Sequence, residues 1–124
     1  MTAVKVTGQE HWTTKKTADG DVRLFLWEKF VGSPEGKPAV LFVHGSSMAS
    51  TPTFDLTVPG RPHSSVMDWF AERGFVCWCV DMEGYGRSGK ERDIFCVPSW
   101  AWHEHAGADG EAIGRLMKRL AGRH

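Results

Sequence analysis

The segment that most constrains the fold is Ala39-Val40-Leu41-Phe42-Val43, introduced by Pro38 and followed at once by His44-Gly45-Ser46-Ser47. Five uninterrupted apolar residues bounded by turn formers fit a strand buried on both faces, as in a parallel sheet. Gly45 permits a sharp turn and a close approach of backbone at the strand's carboxyl end. In open α/β sheets, ligands bind outside that end. The stretch therefore predicts a strand that delivers backbone N–H groups to a site.

A second apolar run, Phe75-Val76-Cys77-Trp78-Cys79-Val80, leads into Asp81-Met82-Glu83-Gly84-Tyr85-Gly86-Arg87-Ser88. Between the two runs the sequence predicts a helix. Ser65-Val66-Met67-Asp68 has capping-box spacing, with Asp in place of Glu. Val66, Trp69 and Phe70 share one helical face, and Gly74 closes the end, so Met67 and Trp69 are expected in the core. Strand, helix and strand make a right-handed crossover.

Upstream, residues 10–17 and 22–31 read as a hairpin around Ala18-Asp19-Gly20-Asp21. Val22, Leu24 and Leu26 alternate to one face, Phe25 and Trp27 to the other. Ser33 to Pro38 is a loop by composition. From Ser47 to His63 no period emerges, and Pro52, Pro59, Gly60 and Pro62 interrupt regular structure. Loops of that length are often functional. Met48, Phe54, Leu56 and Val58 either line an apolar pocket there or pin the loop to the body; both readings stay open.

Beyond Ser88, Phe95 to His105 has no clear period. Ile113, Leu116, Met117 and Leu120 then restore helical spacing, with Asp109 as the expected cap and Lys118 and Arg119 in the last turn. The whole is one domain over 1–124, with 94–124 a divergent tail.

Charge narrows the function classes. Fifteen Lys plus Arg balance fifteen Asp plus Glu, which argues against a nucleic-acid partner. Met1 to Trp12 has no apolar core of a signal peptide, and no run is long enough to span a bilayer, so a cytoplasmic protein without membrane contact is expected. Cys77, Cys79 and Cys96 do not form a disulfide pattern. The first two read as small buried side chains.

A strand ending in His-Gly-x, a helix, and a strand ending in Asp-x-x-Gly-x-Gly-x-Ser together resemble the N-terminal portion of the α/β-hydrolase fold, over residues 10–93. The resemblance implies an α/β architecture of three αβα layers with a β-hairpin followed by a βαβ unit. It also implies an edge role for Ala39–Val43, because the strand beyond it in the family's order follows a helix–strand unit not found here. It implies that the Ser46 backbone N–H is an oxyanion donor, with His44, Gly45 and Ser47 shaping that loop. Asp81, Gly84, Gly86 and Ser88 would form a structural turn beside the site, and Met48, Phe54, Leu56 and Tyr85 would line a pocket. Glu83 is a further candidate for reaching a substrate. His44 is not the base on this reading, since the family's base lies near its C-terminus.

No Gly-x-Ser-x-Gly occurs, so the nucleophile, acid and base of a triad have no counterpart in the chain. The expectation is a fragment or truncated form, or a region after Asp93 altered by a changed reading frame. The chain alone is expected to be inactive. A small-molecule substrate belongs only to the full-length relative, and no cofactor or metal is expected. Self-association through the open sheet edge is expected instead.

Two rivals remain. Gly84 to Lys90 fits both Gly-x-Gly-x-x-Gly and the body of a phosphate-binding loop, but Glu91 stands where magnesium needs a hydroxyl. His103-Glu104-His105 has the spacing of two ligands on one face of a strand, without a second pair. A non-catalytic interaction fragment is the third class.

Overall fold

The computed structural model describes residues 4–45, 48–61, 63–90 and 101–121, with the side chains of its last helix described over 107–120. Over these residues it is mixed α/β: an open four-stranded sheet with three helices. Strands β1 (Val6–Thr17) and β2 (Gly20–Val31) pair antiparallel without a break, from Val6 opposite Val31 to Thr17 opposite Gly20. Ala18 and Asp19 are left as a two-residue turn, closed by Gly20 at φ +118°. β1 begins four residues earlier than the alternation predicts.

β3 is Ala39–Val43 and β4 is Val76–Asp81. The strand order is β1-β2-β4-β3. β4 is central, antiparallel to β2 and parallel to β3. Every residue of β4 is buried, and alternation divides them between two cores. Val76, Trp78 and Val80 pack with Leu24, Leu26 and Phe30 of β2 under helix α3 (Ala101–Ala121), through Ala112, Ile113 and Leu116. Cys77 and Cys79 pack on the opposite face against Met67 and Ala71 of α2 (Val66–Ala71). Phe54, from the short helix α1 (Ser50–Phe54), joins this second core. Helices therefore lie on both faces of the sheet.

Several local expectations are corrected. The 47–63 segment is not structureless: it holds α1 and an isolated bridge between Val58 and Arg61. On α2, Met67 and Ala71 face the sheet, while Trp69 is 45% exposed and carries the Arg73 guanidinium 3.7 Å from its ring centre. The buried stripe is thus the Met67/Ala71 pair, spaced four apart above Cys77 and Cys79, and Val66 and Trp69 lie outside it. The last helix begins at Ala101, not at Asp109. Asp109 is no cap; it is a buried residue within the helix.

β3 also differs from a strand buried on both faces. Val40 and Phe42 turn toward α1 and α2, where Phe42 meets the rings of Phe54 at 5.0 Å and Phe70 at 5.6 Å. Leu41 and Val43, on the α3 side, are 40% and 52% exposed. The reason is position: β3 is the edge, and α3 lies toward β1 at the other end of the sheet.

α3 is fastened by two kinds of contact. Burying Ile113 and Leu116 is worth about 1.5–3 kcal/mol each. Beside them the Lys15 ammonium lies 2.8 Å from Glu83 and 2.9 Å from Asp109, all three side chains buried. A buried ion cluster contributes little net stability after desolvation. The aliphatic pair therefore drives docking, and the ions fix where the helix sits along β1.

Candidate functional site

Because β3 and β4 are parallel neighbours, the chain leaves both strands at the same end of the sheet, at His44 after β3 and at Met82 after β4. Three side chains hold them: Asp81 and His44 join the two exits, and Ser88 ties the second to β2. The first is Asp81. Its Oδ1 accepts the Ser50 N–H at 2.8 Å and its Oδ2 accepts the Arg87 N–H at 3.0 Å, so one buried carboxylate holds both exits. The Ser50 hydroxyl donates to the Val80 carbonyl.

The second is Ser88, whose hydroxyl accepts the Phe25 N–H at 2.8 Å and donates to the Asp81 carbonyl. The third is His44, almost fully buried. Its Nε2 lies 3.0 Å from the Met82 amide nitrogen, its Nδ1 lies 2.6 Å from the Gly45 carbonyl oxygen, and its ring sits 4.6 Å from that of Tyr85.

The glycines of the turn have definite roles. Gly84 and Gly86 have φ of +89° and +49°, and a methyl group at position 86 would overlap the Asp81 carboxylate. Gly45 has open space around its Cα and no positive φ. Ser46 and Ser47 lie outside the described residues. Of the pocket candidates, Phe54 is packed into the core, whereas Met48 and Leu56 are exposed and Tyr85 is half-buried against His44. Glu83 is turned inward onto Lys15, away from solvent.

The glycine-rich turn is poorly suited to phosphate. Cradling needs free N–H groups. Here the N–H groups of Gly84, Tyr85, Arg87, Ser88 and Gly89 go to Gly89, Met82, Asp81, Tyr85 and Arg23 respectively. The Lys90 ammonium donates to the carbonyls of Gly86 and Ser88. Residue 91 lies outside the described residues. The His103-x-His105 spacing falls in a helix rather than a strand, so the same-face argument for two ligands no longer applies. Among the described residues no three His, Cys, Asp or Glu side chains converge on a metal position.

A further anchor was invisible in the sequence. Asp55, an isolated carboxylate in an aperiodic segment, accepts from Trp27 Nε1 and Lys29 Nζ at 2.8 Å each and from the Ser65 hydroxyl at 2.5 Å. Ser65 also caps α2 by accepting the Asp68 N–H at 3.1 Å. Burial alone would lower the Lys29 pKa, but hydrogen bonds to Asp55 and Asp68 and their negative charge outweigh it and hold the ammonium above its usual range. This cluster pins the segment that follows β3. Ser50, also missed, had a weak signal: Ser-Thr-Pro is a helix-start pattern, with Pro tolerated in the first turn.

Chemically, the polar side chains at the site end are already spent. The Ser50 and Ser88 hydroxyls donate to carbonyls, and the His44 Nε2 is engaged by Met82. No protein-family model matches the chain, and no curated protein matches it. Among the described residues, no helix is long and apolar enough to cross a membrane.

Proposed function

We propose that the chain is the N-terminal part of an α/β-hydrolase-type enzyme, esterase-like in reaction class. It supplies the oxyanion loop at Ser46 and a wall of the pocket, and it does not supply nucleophile, acid or base. Amide, epoxide or carbon–halogen bonds are the less favoured substrates. The observation that carries this reading is the order β1-β2-β4-β3 with β3 and β4 parallel. That arrangement sets the His-Gly and Asp-x-x-Gly-x-Gly-x-Ser segments side by side, joined through Asp81. An oxyanion donor needs such a rigid frame, because preorganised N–H groups stabilise developing charge without reorganising.

The chain alone should not hydrolyse p-nitrophenyl esters above background. Co-expressed with the C-terminal half of an α/β-hydrolase that carries the nucleophile turn, acid and base, it should yield esterase activity. Ser46→Pro, which removes the N–H, should then cost about 10²–10³ in kcat. Ser46→Ala, which removes only the hydroxyl, should cost little. Fluorophosphonate labelling of a serine in the chain alone overturns the reading, as does equal loss in the two variants.

A second reading has its own observation. The exposed Leu41 and Val43 on an edge strand favour a non-catalytic role in association, through strand addition at β3.

A further inference from the structure

The phase of the β3–β4 ladder assigns a role to His44. The Val76 N–H donates to the Pro38 carbonyl at 2.9 Å. In a parallel ladder the donors facing one neighbour recur every second residue. Along β4 they are therefore Val76, Trp78, Val80 and then Met82, and the rung after Val80 would run from the Met82 N–H to the His44 carbonyl. It runs instead to the His44 side chain, with Nε2 accepting at 3.0 Å. The ring replaces the backbone acceptor in the next rung.

We propose that His44 is a positioning residue, a side-chain rung that lets the chain leave β3 while its exit stays locked to the exit of β4. The bond fixes the chemistry of the ring. An acceptor Nε2 carries no proton, so the neutral imidazole bears its proton on Nδ1. Nδ1–H in turn donates to the Gly45 carbonyl at 2.6 Å. One tautomer thus makes both bonds, and Tyr85 packs on the ring from the β4 side.

The consequence lies one peptide further on. Holding the Gly45 oxygen fixes the carbonyl at the entrance to the loop that the proposed function makes the oxyanion loop. That last step rests on the proposed function; the rung itself does not.

The test is by nuclear magnetic resonance on the full chain. The His44 Nε2 should give the signal of an unprotonated ring nitrogen and Nδ1 that of a protonated one, with a coupling across the hydrogen bond to the Met82 amide nitrogen. His44→Gln keeps an acceptor at about the reach of Nε2 and should retain protection of the Met82 amide from hydrogen exchange. His44→Phe keeps a ring without an acceptor. It should speed Met82 exchange by about tenfold, the size of one net hydrogen bond, while Val76, Trp78 and Val80 keep their protection. A proton on Nε2, or a Met82 amide unchanged in His44→Phe, overturns the proposal. Should His44→Phe not fold, the ring-nitrogen signals of the unaltered chain decide alone. Because no readout is catalytic, the rung can hold even where the hydrolase reading fails, and can fail where that reading holds.

Discussion

The Cα of Gly86 lies against the carboxylate of Asp81, leaving no room for a side chain between them. The same carboxylate joins the exits of β3 and β4. Gly86→Ala should therefore destabilise in two ways: about 1–2 kcal/mol for left-handed backbone, and about 1–3 kcal/mol for a buried acceptor pushed off its donors. Gly45→Ala, in open space at negative φ, should stay within about 0.5 kcal/mol of the parent. Urea melts compare the pair, and equal midpoints would remove the structural role given to Gly86.

Lys15 stands between two buried carboxylates, hydrogen-bonded to Glu83 and in ionic contact with Asp109. Lys15→Met should cost about 3–5 kcal/mol, because it strands buried negative charge. Adding Glu83→Met and Asp109→Leu should recover much of that loss. Calorimetric melting of the single and triple variants checks it, and a neutral Lys15→Met would show that α3 is held by its aliphatic residues alone.

The thiols of Cys77 and Cys79 are pushed up by burial first, and then by nearby carboxylates, to about 11 and about 12. In a Cys96→Ser background neither should react with Ellman's reagent near pH 8 until denaturant is added, since the thiolate is the nucleophile. The sign of the pH effect follows. The unfolded thiols lose their protons first, near the ordinary thiol value of 9.0. Their contribution to stability is thus complete below pH 9 and is lost as pH climbs toward 11–12. Prompt labelling of the folded chain would contradict this burial.

Among the described residues β3 has a single partner strand, and it carries no charged residue. Such an edge invites pairing with another chain. Sedimentation should reveal concentration-dependent association, and Leu41→Lys should suppress it. Leu41 is already 40% exposed, so the lysine meets water at little cost to the fold. A compact monomer at all concentrations, melting sharply, would mean that the edge is protected.

Elements whose signals are local were legible. The hairpin announces itself by alternation and an Asp-Gly turn, and the β3 and β4 runs by five and six apolar residues. The Ser65 cap follows from its spacing to Asp68. What escaped depends on partners distant in sequence. Glu28 and Lys29 interrupt the apolar run of β2, and only the fold shows that His11 and Asp55 answer them. Asp109 looks like a cap because it precedes a helical stripe, yet it faces Lys15, whose place on β1 no periodicity discloses. Trp69 looks like core because it is large and apolar, but α2 is short and lays Met67, Phe70 and Ala71 on the sheet while Trp69 turns outward. At the candidate site, Asp81 and Ser88 were legible as turn residues, while the Ser50 bond to Asp81 was not.

The strand order also dictates a history. β4, the last in sequence of the described strands, lies between β2 and β3, which are not hydrogen-bonded to one another. On a ribosome the β1–β2 hairpin can close as soon as it emerges, because its contacts are local. β3 appears next with no place in the sheet to go. It must wait, apolar and unpaired, until the chain has been made through Asp81, an interval of a few seconds at about 5–20 residues per second. During that interval the nascent chain presents two unfilled edges to its neighbours, and a chaperone that shields residues 39–43 would act at the step where this fold is most exposed to misassembly.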